Sequence, residues 1–435
     1  MAQPMRGGAV AALGRFARKT WVRASLFTVV AIAFALAAGF LGALIPFRLV
    51  IDLGQDSVGS VLQILASSML AVTTFSLTAM VTAYSSATTI ATPRATQLLV
   101  EDRTSQNVLA TFVGSFVFSL VGIVALSTGY YTEQGRTILF FGTLAVIALI
   151  VVSLLRWIAH LTHFGRMGDV IDRVEAAASA ALAAYARAPT LGAHRLTDIP
   201  DGTHAVTAET PGYVTHVDVA ALNRVALRAD VLIYVTASPG RTADGRRPLV
   251  LVAGGVDDEV RSAVRRAFRV QPHRDFEQDP RLGVIALAEI GSRALSPATN
   301  DPGTAIDVLA ALGRVFAQVV TADVERDVRH ERIWIAPPRL SDLLDDAFRP
   351  LARDGAGIVE VQIRLQKCLA GLAAVAPRDE EVQALARVSA NALRRSIPAL
   401  DRVDRRALRS AHHAVWTGSP AHPGWARPPA GVPHP

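Results

Sequence analysis

Hydroxyl-bearing side chains recur at helical spacing along one apolar stretch of the chain: Ser67, Thr74, Thr78, Thr82, Ser85 and Thr89. Residues at such intervals share one face of an α-helix. Two interpretations stay open. The hydroxyls line a polar path for a solute or ion, or they let helices pack closely and bond to one another or to backbone carbonyls. Close packing is favoured, because the stretch holds no charge and charges usually mark ion and proton routes.

A second concentration of polar residues surrounds two Asp-Pro motifs. Asp279-Pro280 and Asp301-Pro302 are each typical of a helix start, with a capping acid before Pro in the first turn. Ser296-Pro297 ends the helix between them, so two helices meet at a short corner. The candidate ligand-binding or subunit-contact residues of this corner are Glu289, Arg293, Ser296, Asn300, Asp301 and Thr304. Helix capping explains every one of these residue types and is the favoured alternative.

Other candidates for chemistry are weak. His160 and His163 have the helical spacing of a metal pair, but two histidines do not make a site, and a position at the membrane interface explains them. His412-His413 adds nothing stronger. The sequence contains no phosphate-binding Gly loop, no GxSxG, no HExxH and no CxxC. The single cysteine, Cys368, lies on an apolar helical face, so we expect it to be buried and unreactive.

These patterns predict no catalytic residue, no metal site and no cofactor, and we therefore expect that the protein is not an enzyme. The net charge is +7, but basic and acidic residues are interspersed after the apolar region. We therefore expect no nucleic-acid partner. The expected partners are the lipid bilayer and further copies of the chain in a homo-oligomer, and no pattern identifies a small-molecule or ion ligand.

Four charge-free stretches are long enough to cross a bilayer, which requires about 20 apolar residues. They are Ser25–Ile45, Val58–Tyr84, Asn107–Tyr131 and Thr137–Leu155. Because the bilayer core holds no water, they must be helices. The second stretch can continue as one helix to Thr92, about 50 Å in all, so its end projects beyond the hydrocarbon core. Thr92 then caps a new short helix that begins at Pro93.

Basic residues near these stretches predict the orientation. Ten lie in the flanks assigned to the cytoplasm, and two lie in the opposite loops. The ten are Arg6, Arg15, Arg18, Lys19, Arg23, Arg94, Arg103, Arg156, Arg166 and Arg173, and the two are Arg48 and Arg136. Both termini are therefore expected on the cytoplasmic side of a bacterial inner membrane.

The rest of the chain alternates short β-like and helical patterns and then becomes helical from Asp279. The predicted strands are Ala205–Glu209, Tyr213–Val217, Val231–Thr236 and Leu249–Ala253, and the predicted helices between them are Val219–Leu227 and Asp257–Phe268. The expected fold is membrane all-α with four transmembrane helices, followed by a cytoplasmic α+β module and a helical bundle. The expected division is a basic N-terminus (1–24), a transmembrane domain (25–161), an α+β module (162–275), a helical domain (276–416) and a disordered tail (417–435).

Five motifs in this order resemble a known family. They are Ala91-Thr-Pro-Arg94, Asp102-Arg-Thr-Ser-Gln-Asn107, Pro211-Gly-Tyr-Val214, Gln278-Asp-Pro280 and Ala294-Leu-Ser-Pro-Ala-Thr-Asn-Asp-Pro302. Together they look like the bacterial predicted membrane proteins called domain of unknown function 2254. The resemblance implies a multi-pass inner-membrane protein with a cytoplasmic C-terminal domain, and it brings no activity, substrate or cofactor. The chain departs from the family pattern between Gly240 and Pro248, where Thr242 and Arg246 replace an aromatic residue and a glycine.

Three functions follow as hypotheses. The first is a non-enzymatic oligomeric pore or transporter-like assembly with a cytoplasmic gating or sensing domain. The second is a membrane-anchored scaffold or signalling adaptor, and a membrane-bound enzyme ranks last. The hydroxyl series distinguishes the first two, since it faces a shared cavity in a pore and packs against neighbouring helices in a scaffold.

Overall fold

The computed structural model describes residues 20–44, 55–90, 92–100, 102–162, 164–324 and 327–416. The predicted disordered tail, the basic residues before residue 20, Arg48 and His163 lie outside the described residues. The chain forms two compact units. The first comprises residues 1–89 and 96–169, and the second comprises residues 90–95 and 170–435.

The first unit is helical. Its long helices are α1 (Thr20–Leu44), α2 (Gln55–Ile90), α4 (Arg103–Ser127) and α5 (Glu133–Leu161), and the short α3 (Pro93–Val100) follows α2. Side chains from all four long helices meet in one cluster, which includes Ala35, Leu62, Phe118 and Leu139. A second cluster joins α2, α4 and α5 around Phe112 and Trp157. The apolar stretches predicted from sequence therefore pack as a four-helix bundle.

Three of the predicted spans coincide with helices that are long and apolar enough to cross a membrane: Ser57–Thr88, Thr104–Ser127 and Glu133–Leu161. The first predicted span lies in α1, whose apolar described part, Ser25–Phe40, is shorter. Pro302–Val320 is the fourth helix in the described part of the chain that is long and apolar enough to cross a membrane. Its apolar composition has another cause, since residues such as Leu309, Leu312 and Phe316 are buried inside the second unit.

The prediction of one long second helix is confirmed. The 36 residues of α2 extend about 54 Å at 1.5 Å per residue. The predicted cap after it is confirmed as well, because Thr92 Oγ1 accepts a hydrogen bond from the Ala95 N–H at 3.4 Å, and α3 begins at Pro93. The last residues of α2 and the first of α3, Ile90–Ala95, belong to the second unit.

The second unit begins with α6 (Met167–Arg187) and continues into two small sheets. Its strands are β1 (Ala193–Arg195), β2 (His204–Thr207), β3 (Gly212–Val217), β4 (Leu232–Val235), β5 (Thr242–Ala243), β6 (Pro248–Ala253), β7 (Phe268–Gln271) and β8 (His330–Ile335). Helices α7 (Val219–Ala229) and α8 (Asp258–Arg266) lie among them. The four predicted strands and two predicted helices correspond to β2, β3, β4, β6, α7 and α8.

The larger sheet has the strand order β1-β8-β4-β6-β2, and the smaller has the order β5-β3-β7. In the larger sheet β8 pairs in parallel with β1 on one side and with β4 on the other. The remaining pairs are antiparallel. The expectation of an entirely helical pattern from Asp279 onward is therefore wrong at His330–Ile335, where the chain returns to supply a central strand.

Six further helices complete the second unit: α9 (Pro280–Ala294), α10 (Pro302–Val320), α11 (Leu340–Asp354), α12 (Val359–Val375), α13 (Asp379–Ser396) and α14 (Arg402–Trp416). Helix α10 packs against α9 and α12, and its buried face includes Val308, Leu312 and Phe316. The guanidinium of Arg281 on α9 donates to both carboxylate oxygens of Asp346 on α11, at 2.6 and 2.9 Å. The predicted helical bundle is thus present, and it shares this unit with the sheets.

Candidate functional site

The predicted hydroxyl series lies on the outer face of α2. Ser67, Thr74, Thr78, Thr82 and Ser85 are all exposed in the single chain, and the side chain of Thr89 lies outside the described residues. Gln63 is exposed on the same face. We call these residues, from Gln63 to Ser85, the hydroxyl face. The opposite face of α2 packs into the bundle through Val58, Leu62, Leu65 and Met69.

Several hydroxyls on this face bond to their own helix. The Ser67 Oγ donates to the Gln63 carbonyl at 3.0 Å, and the Thr78 Oγ1 donates to the Thr74 carbonyl at 2.9 Å. Thr74 bonds to the Leu70 carbonyl in the same way. Such bonds satisfy the hydroxyl donors without a neighbouring helix. The described residues leave this face exposed, so the two interpretations of the hydroxyl series now concern what else contacts it.

A different set of hydroxyls is buried inside the bundle, and the sequence analysis missed it. Thr111, Ser115 and Ser119 of α4 lie four residues apart, and each is at most 6% exposed. Each donates to the carbonyl four residues earlier, at 2.8 to 2.9 Å. The regular spacing was visible in the sequence, but spacing alone does not tell an inner face from an outer one.

A buried polar cluster joins the start of α4 to the end of α5. The Asp102 carboxylate caps α4 by accepting from the Ser105 N–H at 2.7 Å and from the Ser105 Oγ at 2.6 Å. The His160 Nε2 lies 3.0 Å from the same carboxylate oxygen. The imidazole also stacks against Trp157 and approaches the ring of Phe164. The cluster connects the third and fourth predicted spans at one end.

This cluster does not have the geometry of a hydrolase. In a Ser-His-Asp triad the acid and the nucleophile contact opposite nitrogens of the imidazole. Here Asp102 and Ser105 both lie at His160 Nε2, and the Ser105 hydroxyl donates to the carboxylate. His163, which has helical spacing from His160, lies outside the described residues. Among the described residues no group of three or more His, Cys, Asp or Glu side chains could hold a metal ion.

The predicted corner between α9 and α10 is capped as expected at Asp301. Its carboxylate accepts from the Thr304 N–H at 3.0 Å and from the Thr304 Oγ1 at 2.6 Å. These bonds, led by the one from the hydroxyl, lower the pKa of Asp301. Asn300 has a different role from a cap, because its φ of 46° is in the left-handed region that Asn tolerates. The Ser296 Oγ donates to the Thr299 Oγ1 at 3.2 Å.

Glu289, one turn before the corner, forms an ion pair with Arg94. Arg94 lies in α3, in the segment Ile90–Ala95 that belongs to the second unit. Arg293 is exposed on the following turn of α9. The sequence analysis counted Arg94 among the basic residues that predict membrane orientation and Glu289 among the candidate residues of the corner. No sequence pattern indicated that the two residues form a pair.

The motif Gln278-Asp279-Pro280 forms a structural joint between β3 and α9. The Gln278 Oε1 accepts from the Val217 N–H at 3.0 Å, and Asp279 caps α9 and binds the guanidinium of Arg274 at 2.7 Å. Gly240, at φ 90°, lies against this carboxylate, and an added Cβ would be 2.5 Å from the Asp279 Oδ2. Only glycine fits that position. Capping and packing contacts therefore explain why Gly240, Gln278 and Asp279 occupy these positions.

Comparisons with known proteins agree that the chain is a membrane protein. A family model described as "Predicted membrane protein (DUF2254)" matches residues 17–371. The uncharacterised protein Mb1321c of Mycobacterium bovis and the uncharacterised protein Rv1290c of Mycobacterium tuberculosis are each 34% identical to the chain over 88 residues. That similarity covers 19% of this chain and only 17% of each relative. No solved structure is a significant match.

Proposed function

The chain belongs to the DUF2254 family of predicted membrane proteins, and from that premise we propose a multi-pass inner-membrane protein that assembles around a hydroxyl-lined path for a solute or ion. The observation that carries the proposal is the position of the hydroxyl face. Its polar side chains are exposed on the side of α2 that faces away from the bundle of its own chain. An assembly of several copies can enclose that face.

Physical chemistry favours such enclosure. A lipid-facing helix surface needs only apolar side chains, whereas this face carries five exposed hydroxyls and the amide of Gln63. An amide has more donors and acceptors than a hydroxyl, and leaving them unpaired in hydrocarbon is costly. Contact with water in a shared path, or with the same face of another copy, provides the missing partners.

The second unit serves as a gate or sensor in this proposal. Helix α2 carries the hydroxyl face and continues directly into Ile90–Ala95, a segment of the second unit. Within that unit Arg94 is fixed to α9 by its ion pair with Glu289. A rearrangement of α9 therefore pulls on the residues that directly follow α2.

The second candidate is a membrane-anchored scaffold or adaptor. The bonds from Ser67, Thr74 and Thr78 to carbonyls of α2 favour it, because hydroxyls satisfied in this way do not require water. In a scaffold the hydroxyl face packs directly against other copies of the chain, with no water between them. An enzymatic role ranks third, since the Ser105 hydroxyl, which lies 3.3 Å from the His160 Nε2, already donates to Asp102.

The orientation is part of the proposal. The ten-to-two distribution of basic residues places both termini and the second unit in the cytoplasm. Reporter fusions after residues 56, 103, 133 and 200 should alternate between outside and inside, beginning outside. A periplasmic signal from the fusion after residue 200 would refute this topology.

Flux through liposomes tests the pore. Replacing Thr74, Thr78 and Thr82 together by Val keeps the side-chain shape and removes three hydroxyls from the exposed face. We expect this variant to assemble normally and to lose ion or solute flux. The matched control is Thr111→Val, Ser115→Ala and Ser119→Ala, which removes three buried hydroxyls and should retain flux if the bundle folds. Absence of flux in the wild-type protein under every gradient would leave the scaffold as the better account.

A further inference from the structure

A cleft of about 350 Å³ opens in the second unit beside the larger sheet. It lies where the parallel strands β1 and β8 end, at Arg195 and Ile335. In α/β sheets the region beyond the carboxyl ends of parallel strands is the usual place for a ligand. The end of α6, the loop after β8 and the first turns of α11 and α13 form the other walls.

The cleft is rich in arginine. Arg195, Arg339, Arg378 and Arg387 line it, against two carboxylates, Glu380 and Glu381. Glu381 is buried and is engaged by Arg378. Within the described part of the chain, neither Arg195 nor Arg339 has an ion pair with a carboxylate. The described lining residues therefore carry net positive charge, with four guanidiniums against two carboxylates. Arg195 and Arg339 are available to an anion, and guanidinium groups bind carboxylates and phosphates by paired hydrogen bonds.

Tyr185 connects this cleft to a smaller apolar cavity of about 150 Å³. Tyr185, Pro189, Pro337 and Pro338 line both spaces. The Tyr185 hydroxyl donates to the Pro338 carbonyl at 2.6 Å, so it does not add an unpaired polar group to the apolar cavity. Burial raises the pKa of Tyr185, the nearby Arg195 and Arg378 lower it, and the carboxylate of Asp342 raises it. Two guanidiniums and one carboxylate therefore act on the phenol.

The size of the apolar cavity limits what it can accept. The methyl groups of Ala181, Ala184 and Ala188 on α6 form one side of it, and the polar members of its mostly apolar lining are Ser238, Glu277 and Gln278. An apolar cavity of about 150 Å³ holds a group of the size of benzene. This volume matches one small apolar group and is far below that of the paired acyl chains of a phospholipid, which favours a free small molecule as the ligand.

The geometry points to a binding site for a small organic anion, a carboxylate or phosphate that carries an apolar group of about the size of a benzene ring. The anion lies between Arg195 and Arg339, and the apolar group lies beside Tyr185 in the alanine-lined cavity. This site is independent of the hydroxyl face, and its occupancy does not require that the protein conduct a solute.

Calorimetric titration of the full-length protein in nanodiscs of zwitterionic lipid tests the site. The probes are benzoate and phenyl phosphate. Two partial ligands serve as comparisons: phenol, which lacks the anionic group, and inorganic phosphate, which lacks the aromatic ring. We expect at least one aryl anion to bind at least tenfold more tightly than both partial ligands. Failure of both aryl anions to bind, or equal binding of inorganic phosphate and phenyl phosphate, would overturn the proposal.

Variants locate the binding. The double variant Arg195→Gln, Arg339→Gln should bind the aryl anion at least tenfold more weakly than the wild-type protein does. Ala184→Leu, which fills the apolar cavity, should lower the affinity for the aryl anion but not the affinity for inorganic phosphate. Arg349→Gln is the matched control, because Arg349 is an exposed arginine that lines a different cleft, between α11 and α13. Unchanged affinity in the double variant, or an equal loss in the control, contradicts the assignment. An unfolding transition measured for each variant shows that it is folded.

Discussion

Arg94 in the short helix after α2 is paired with Glu289 in the middle of α9. The two residues are distant in sequence, yet both belong to the second unit, because the segment Ile90–Ala95 leaves the first unit at its boundary after Thr89. Thr92 and Ala95 beside Arg94 are buried. The ion pair is therefore one part of a wider attachment of this segment to the second unit.

The contribution of this pair to stability should be small but measurable. The Arg94 and Glu289 side chains are 46% and 33% exposed, and a pair in such surroundings contributes about 0.2–1 kcal/mol. A double-mutant cycle with Arg94→Ala and Glu289→Ala, followed by thermal unfolding in detergent, should give a coupling energy in that range. Arg94→Glu should be more destabilising than Arg94→Ala, and Glu289→Arg should restore most of the loss. Strictly additive single variants would show that the two groups do not interact.

Cross-linking tests whether the hydroxyl face meets another copy. We expect Thr78→Cys to form an intermolecular disulfide when membranes are mildly oxidised, because Thr78 is exposed on α2. Ser115→Cys is the control, since Ser115 is 4% exposed inside the bundle and should stay monomeric on a non-reducing gel. A disulfide-linked dimer of the Ser115→Cys control, or the absence of a dimer in both variants, would count against assembly through this face.

Cys368 should be inert in the folded protein. Burial raises the pKa of its thiol to about 12, and the Sγ contacts the Leu309 carbonyl at 3.4 Å. Alkylation at pH 8 should be at least tenfold slower in the native protein than in denaturant, whereas an exposed Ala298→Cys should react rapidly in both. Rapid labelling of native Cys368 would show that this part of α12 opens readily.

The raised pKa also gives a direction to the pH dependence of stability. The unfolded thiol ionises near pH 8.5, while the folded one keeps its proton to about 12. The stability that this group contributes is therefore fully present below about pH 8.5 and falls as the pH rises from there towards 12. Cys368→Ser should reduce the alkaline part of this slope when the unfolding midpoint is measured against pH.

Asp301 should contribute stability in the opposite pH range. Its pKa is lowered by the bonds from Thr304, so its contribution is present above the unfolded pKa of about 3.9 and is lost as the pH falls through the folded value. At pH 7 Asp301→Ala should cost about 0.5–2 kcal/mol, and Asp301→Asn much less, because Asn also caps. The difference between wild type and Asp301→Asn should shrink below pH 3. A pH-independent difference would exclude the carboxylate bonds as its source.

Helix starts and membrane-crossing helices could be predicted from the sequence, because they depend on residues that are close together in the chain. Apolar length predicted α2, α4 and α5, and the Thr92-Pro93, Asp279-Pro280 and Asp301-Pro302 pairs marked three helix starts correctly. These predictions succeed because capping and membrane crossing are decided within a few turns of one segment. Asn300 was misjudged locally, since a residue type that caps helices is also one that tolerates a left-handed backbone.

Features that depend on the fold could not be predicted in this way. The contacts of Asp102 with His160 and of Arg94 with Glu289 join different helices, and no periodicity links their partners. Strand β8 was missed because only Ile333 and Ile335 are buried in it, next to the charged Glu331 and Arg332. Helical spacing placed the hydroxyls on one face of α2, but only packing shows that this face points out of the chain.

The central position of β8 has a consequence for synthesis. A ribosome releases β1 and β4 long before His330–Ile335, so both strands wait with an open edge until the later segment arrives. Open edges pair readily with other chains. A chain truncated after α10 should therefore aggregate more strongly than one truncated after β8, although both lack α11–α14. The order of translation makes an interior strand of the sheet, between β1 and β4, its last part to form.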